Sequence, residues 1–344
     1  KLSNKRPDFV SGLFYIHTKF MFMRHLITVV YLLLVLQTNA QQVNYLNQGT
    51  ALPKPTVFAQ GIISDGLINR DFTISPKGDE IFFTIQHKDF ISSTIMHIQL
   101  KNGKWSEVNV APFSGMYNDL EAQFSPDGKK IFFSSNRKVD ATDTNNDYDM
   151  WYVEKTLNGS WGKPIHLGFT VNSPHDEFYP SISKSGNLYF TAQLDNGVGK
   201  EDIFICEWKN GQYQSPVPVS TAVNSKGYEF NAFVDPDEQF ILFTGYGRKD
   251  DMGKGDLYIS KKNEKGEWQE AKNLGALINS KGLDYCPFVS WDKRTLFFSS
   301  NRNINAGPFD KPVTASTLKK QLTNPGNGLD DIYWIKFDEL LKQF

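Results

Sequence analysis

Residues 125 to 137 read Ser-Pro-Asp-Gly-Lys-Lys-Ile-Phe-Phe-Ser-Ser-Asn-Arg, and this stretch decides the fold. A Pro-Asp-Gly turn feeds straight into an apolar, aromatic run, the pattern of a tight reversal that opens a buried strand. The arrangement returns at Ser75-Pro76-Lys77-Gly78, Ser183-Lys184-Ser185-Gly186, Asp235-Pro236-Asp237-Glu238 and Ser290-Trp291-Asp292-Lys293, with spacings of 50, 58, 52 and 55 residues. Each turn precedes a run such as Ile81-Phe82-Phe83, Ile131-Phe132-Phe133, Leu188-Tyr189-Phe190, Ile241-Leu242-Phe243 or Leu296-Phe297-Phe298. A second apolar run follows at 95–98, 150–153, 203–206, 257–259 and 332–335. Four units then carry a turn and an aromatic: Asn102-Gly103 with Trp105, Asn158-Gly159 with Trp161, Asn210-Gly211 with Tyr213, and Lys265-Gly266 with Trp268. Asn-Gly between apolar runs is the strongest short-range hairpin signal.

The repeat predicts four short antiparallel strands per unit, a to d. Its five units run approximately 65–117, 118–174, 175–226, 227–281 and 282–337. One such sheet cannot bury both faces, but five arranged radially can, through interlocking aromatic faces. The expected fold is all-β, a five-bladed β-propeller of four-stranded blades. The fifth unit stops after its third strand, with a helix-like tail at 338–344, while residues 55–64 have strand-d character and no unit of their own. That N-terminal strand is expected to complete the last blade and lock the ring. An open stack of hairpins is the alternative, and it leaves exposed edges at both ends.

Composition agrees. Aromatic residues make up 14% of the 344 and only 2 residues are Cys, which excludes a disulfide scaffold and suits a strand-rich core. The run Leu-Ile-Thr-Val-Val-Tyr-Leu-Leu-Leu-Val-Leu at 26–36 follows Arg24 and His25 and precedes Thr38 and Ala40. It is short for a membrane span and reads as a secretory signal, with Met21 or Met23 as the start and a cut after Ala40. A buried strand or an uncleaved anchor is the competing reading. The cut removes Lys1, Lys5, Arg6, Lys19, Arg24 and Asp8, turning a net charge of −1 into −5. The exported product is then acidic, which argues against a nucleic-acid partner.

The Ser-Pro-Asp-Gly turn, the Ile-Phe-Phe-Ser-Ser-Asn-Arg that follows it and Asp202-Ile203-Phe204 resemble the WD40-like repeat of TolB-type propellers, over roughly residues 55–337. The resemblance implies a propeller fold in an exported bacterial protein. Many members are binding or scaffolding modules, sometimes fused to peptidoglycan-binding or hydrolase domains. Unit 1 departs from the pattern with Ser93-Thr94-Ile95, and unit 5 with Trp291-Asp292-Lys293. Fold follows from such a likeness, and function only by analogy.

Strand a is innermost, so its first residues are expected to rim the channel. They are Asn69, Asp119, Glu177, Glu229 and Asp284, with Tyr117, His175, Phe178, Tyr228 and Tyr285 beside them. The four carboxylates and these aromatics form a candidate rim for a sugar or peptide; the architectural alternative is that each acid accepts amide hydrogens from its own loop. A second column, Asp149, Asp202, Asp256 and Asp331, precedes strand c, and Arg137 and Arg302 at the ends of strand b are expected to pair with it. In the loop Asp-Ala-Thr-Asp-Thr-Asn-Asn-Asp-Tyr-Asp at 140–149, Asp143, Asn145, Asp147 and Asp149 alternate oxygen ligands as a Ca2+ loop does, without an EF-hand's Gly and terminal Glu. The 303–329 segment is a lid candidate, with a helical turn expected at 317–322. Cys206 and Cys286 fall in blades that are not neighbours, so no disulfide is expected.

There is no Gly-x-Ser-x-Gly elbow, phosphate loop, dinucleotide fingerprint or His-Glu-x-x-His motif. The leading expectation is a non-enzymatic, monomeric propeller, periplasmic or secreted, that binds a protein, peptide or cell-wall glycan on its loop-rich face. The alternatives are a glycoside hydrolase with channel-mouth carboxylates about 5–10 Å apart, or the accessory propeller of a separately encoded hydrolase.

Overall fold

The repeated turn explains the first strand pair of every blade. The hydroxyls of Ser75, Ser125 and Ser290 accept the amides that open strand b, from Glu80, Lys130 and Thr295, at 3.1, 2.9 and 3.0 Å. The fourth turn position is left-handed throughout. Gly78, Gly128 and Gly186 take it without strain, whereas Glu238 and Lys293 adopt φ of 55° and 59° with a side chain.

The computed structural model describes residues 44–304, 309 and 311–344, so the leader and its cut lie outside the described residues. Five four-stranded antiparallel sheets follow one another in the chain. Blade 1 is Ile68–Ile74, Glu80–Gln86, Ser93–Lys101 and Asn109–Val110; blade 2 is Asp119–Phe124, Lys130–Ser135, Asp149–Glu154 and Ile165–His166. Blade 3 is Glu177–Ile182, Leu188–Ala192, Asp202–Cys206 and Val217–Pro218; blade 4 is Tyr228–Val234, Phe240–Tyr246, Asp256–Lys261 and Lys272–Asn273. Blade 5 is Asp284–Val289, Thr295–Ser300 and Asp331–Lys336, completed by Thr56–Val57 from the N-terminus. Strand d lies beyond the aromatic that follows the c–d turn. In blade 1 that aromatic, Trp105, belongs to a separate return hairpin with Leu100. The true outer strand is only two residues long in each blade.

The ring closes by mimicry. Asn172, Asn224 and Asn279, from the Asn-Ser pairs after strand d, each accept a strand-c amide, from Met150, Ile203 and Leu257, at 2.8, 3.0 and 2.8 Å. In the last blade Ser64 takes that place, accepting the Ile332 amide at 3.1 Å. Phe58, with no exposed surface, packs edge-on to Phe72 and Phe297 and so joins the closing strand to blades 1 and 5. The two free cysteines are both buried. Helices lie at Ala315–Thr323, wider than the single turn expected, and at Asp338–Leu341. No helix among the described residues is long and apolar enough to cross a membrane.

Strand a carries a bulge in every blade, between Arg70 and Thr73, Leu120 and Gln123, Phe178 and Ser181, Phe230 and Phe233, and Tyr285 and Phe288. Each bulge holds one left-handed residue: Asp71, Glu121, Tyr179, Asn231 and Cys286, with φ of 50° to 63°. Such a conformation costs about 1–3 kcal/mol per residue and persists only where its surroundings hold it. Here the neighbouring blade holds it, because the Asp71, Glu121 and Asn231 amides donate to Ser299, Thr84 and Thr191 hydroxyls on strand b of the preceding blade.

Candidate functional site

Asp119, Glu177, Glu229 and Asp284 have no exposed surface. Instead of an open rim, three of them form the centre of a clamp that recurs in blades 2, 4 and 5. Asp119 accepts from Ser114 Oγ at 2.8 Å, Ser135 Oγ at 2.6 Å and Arg137 Nη2 at 2.5 Å. Asp284 accepts from Ser280 N, Ser300 Oγ and Arg302 Nη2 at 2.6, 2.6 and 2.5 Å. Glu229 accepts from Ser225 N and Oγ, both at 2.6 Å, and from Arg248 Nε at 3.0 Å. The three guanidinium groups also donate to the loop carbonyls of Phe113, Val223 and Ile278. Each lies over a strand-b and a strand-c aromatic: Phe133 and Trp151, Phe243 and Tyr258, Phe298 and Tyr333. One charged pair thus ties the d–a loop to three strands, the full satisfaction that a buried pair needs.

The expected pairing of Arg137 and Arg302 with the strand-c acids is therefore corrected to the strand-a acids. The strand-c carboxylates are taken by loop amides: Asp202 by Val198 and Gly199, Asp256 by Met252, Asp331 by Gly326. Asp149 differs, with its carboxylate 3.2 Å from His166 Nε2.

Blade 3 has the acid without the clamp. Leu194 stands two residues after strand b, where blades 2 and 5 carry Arg137 and Arg302. Glu177 accepts only from Ser173 N and Oγ, at 3.1 and 2.5 Å, and its Oε2 has no partner. Burial, with Asp149 and Asp147 nearby and against the pull of Ser173, pushes its carboxyl up to about 8. Among the rim aromatics, Tyr117 and His175 are exposed and Tyr228 is half-buried. Tyr285 is a correction: it is buried, under the Arg70 guanidinium at 5.0 Å from the ring centre.

The bulge residues of all five blades meet around the axis. Arg70 reaches Asp71 at 2.7 Å and Glu121 at 2.5 Å; Asn231 donates to Glu121 at 3.0 Å. The Cys286 thiol donates to Asp71 at 2.9 Å, and Tyr179 donates its amide to Glu121 at 2.7 Å and its hydroxyl to the Pro287 carbonyl at 2.9 Å. Asp71, Glu121 and Cys286 are close enough to share a cation. The Arg70 guanidinium already holds that charge, and burial beside Asp71 raises the Cys286 thiol well above its usual range. The sequence hid this cluster because its column reads Asp, Glu, Tyr, Asn, Cys. What recurs is the backbone, and the side chains do not.

The acidic loop of blade 2 does gather its candidates. Asp143, Asn145, Asp147 and Asp149 line one hollow of about 820 Å³ together with Phe169. Asp143 is already bonded to the Val139 and Asn145 amides at 2.9 and 3.0 Å. Asp147 is raised by partial burial and by the charges of Asp149, Asp143 and Asp176.

No family model matches the chain, and no curated protein matches it. Among solved structures it is similar to TolB from Acinetobacter baumannii, at 12% identity and a TM-score of 0.44, over 78% of this chain and 54% of that one. The chain thus spans about half the length of that TolB. It is also similar to an endo-arabinanase from Bacillus licheniformis, at 10% identity and a TM-score of 0.47, over 79% of this chain and 94% of that one. A protein of unknown function from Dyadobacter fermentans is 16% identical, with a TM-score of 0.41, over 72% of this chain and 80% of that one.

Proposed function

We propose that the chain is an exported, monomeric, non-enzymatic propeller that binds a protein, peptide or cell-wall glycan on the face built by its b–c and d–a loops. The observation that carries this is the apolar surface that those loops display. Phe90 is 71% exposed, Met116 85% and Phe169 81%, and Ile91, Met252 and Leu322 add to them. Exposed apolar groups repeated around one face favour a partner that removes them from water. The a–b turns on the other face are mostly polar, although the c–d turns there expose Leu157 and Trp208. The strand-a acids support a binder over a hydrolase, since a glycosidase pair must reach substrate and these carboxylates are all buried, three of the four in clamps.

The test is capture of partners from an envelope extract and a glycan array with wild type and Phe90→Asp/Met116→Asp/Phe169→Asp. The proposal expects a specific partner that the triple variant loses. A partner retained by the folded triple variant speaks against it, as does hydrolysis of any polysaccharide in a panel that Glu177→Gln abolishes. The proposal extends to a Ca2+ ion held by Asp143, Asn145, Asp147 and Asp149, which would tether the acidic loop beside Phe169.

A further inference from the structure

The joints between blades are not sealed alike. Between blades 1 and 2, Lys155 bonds Glu80 across the joint and lies 5.1 Å from the ring centre of Trp161. Trp161 in turn packs 6.0 Å from both Phe82 and Phe124. Between blades 3 and 4 a different device closes the joint: Glu238 of blade 4 accepts from Ser185 and Asn187 of blade 3 at 3.1 and 2.8 Å, while Lys262 of its own blade lies 3.3 Å from it and 4.7 Å from the ring centre of Trp268. Lys155 and Lys262 each stand six residues after the first residue of strand c, and at that position blade 3 carries Trp208. The tryptophan position is Tyr213, and the position of Glu80 at the start of strand b is Lys130 in blade 2. Lys130 turns back on its own blade, 3.0 Å from Glu154 and 4.6 Å from the Tyr152 ring centre. No lysine therefore bridges from blade 3 to blade 2 there, and the joint opens into a cleft of about 880 Å³.

The cleft has the size of a ligand site, about 300–1,000 Å³. Its aromatic side chains include Tyr152, Trp208 and Tyr213. Trp208 is 42% exposed but fixed: Tyr213 meets it edge-on at 4.7 Å, and a Cβ on Gly186 would come within 3.0 Å of its ring. The ionisable groups at the lining have partners of their own: Lys130 has Glu154, Lys184 has Asp237 at 2.8 Å, Asp127 accepts from Ser125 Oγ and the Lys129 amide, and His166 lies 3.2 Å from Asp149. What remains for a ligand is the neutral donors and acceptors of Gln212, Gln214, Thr170 and Ser215. Strand addition by a peptide is disfavoured, because Pro164, Pro216 and Pro218 remove amide donors along both outer edges. Thr170 and Ser215 also line the hollow of the acidic loop, so the two hollows adjoin.

We propose that this cleft is a binding site for a neutral oligosaccharide, whose C–H faces would lie on the aromatic rings while its hydroxyls pair with the amides and hydroxyls. The site is built by the outer strands and turns of blades 2 and 3, and it stands whether or not the loop face binds a partner.

The test titrates the full chain with cellohexaose, xylohexaose, arabinohexaose, mannohexaose and chitohexaose, by calorimetry and tryptophan fluorescence, at low and high salt. The expected result is binding of at least one hexasaccharide, insensitive to salt, weakened about tenfold or more by Trp208→Ala and unchanged by Phe90→Ala. A second variant guards against simple loss of fold: Lys130→Glu/Trp208→Lys/Tyr213→Trp installs all three residues of the sealed joint between blades 1 and 2 and should remove saccharide binding without lowering Tm. The proposal is overturned if the folded wild type binds none of the five sugars. It is equally overturned if Trp208→Ala leaves affinity within about twofold, or if a peptide library yields a cleft ligand that Trp208→Ala abolishes while the sugars stay inert.

Discussion

The joint between blades 1 and 2 and the joint between blades 2 and 3 are made from the same positions of the repeat, yet one is sealed and the other open. In the first, Glu80, Lys155 and Trp161 stack acid on cation on indole. In the second, Lys130, Trp208 and Tyr213 occupy those positions and no cross-joint pair forms. Blade 3 departs a second time at its strand-a acid, where Leu194 replaces the clamping arginine of blades 2 and 5. Both departures fall on the same blade. A repeat protein can relax one unit while its neighbours hold the ring, because each blade contacts chiefly the blades on either side.

The comparison can be broken most strongly at the sealed joint. Trp161→Ala should cost about 4 kcal/mol, the usual loss for emptying a buried indole site, whereas Tyr213→Ala at the open joint should cost about half that. Urea denaturation of the two variants checks the difference. Next comes the clamp. Arg137→Met leaves Asp119 buried without its cation and should destabilise by about 3 kcal/mol, whereas removing the unclamped acid with Glu177→Gln should not destabilise at neutral pH.

The third test is one of pH. The Glu177 carboxyl is raised to about 8 in the folded chain by burial, above its value in the unfolded chain, so the native state holds the proton more tightly. Stability from this group is full below about pH 4.5 and falls as pH rises to about 8. Glu177→Gln should therefore match wild type near pH 5 and exceed it by on the order of 1–3 kcal/mol at pH 9. Leu194→Arg should flatten the same profile by supplying the missing cation. Thermal melts across pH read both. The smallest expected effect is at the acidic loop, where Ca2+ should raise Tm by about 2–4 °C, and Asp147→Asn should remove the shift.

Much of the fold was legible because a propeller writes its period into the chain. Turns 50 to 58 residues apart, each followed by an aromatic run, demand a repeated sheet, and an orphan strand at 55–64 beside a last unit lacking strand d demands closure. The clamp was half legible. Arg137 and Arg302 stood out in matching Ser-Ser-Asn-Arg stretches, but Arg248 escaped, since Gly245-Tyr246-Gly247 moves it one residue along. Their partner was misread because the starts of strands a and c both lie beside the end of strand b. Sequence order cannot say that loop amides have already taken Asp202, Asp256 and Asp331.

The sequence alone therefore determined the blade count, the strand order and the device that closes the ring, since each follows from periodicity and from burying one face of a strand. Tertiary structure alone decided which acids are enclosed, what fills the axis and which joint stays open. Those outcomes depend on side chains from different blades meeting, as Arg70 meets Glu121 and Lys155 meets Glu80. Such meetings are set by packing between units, and the repeat by itself does not record them.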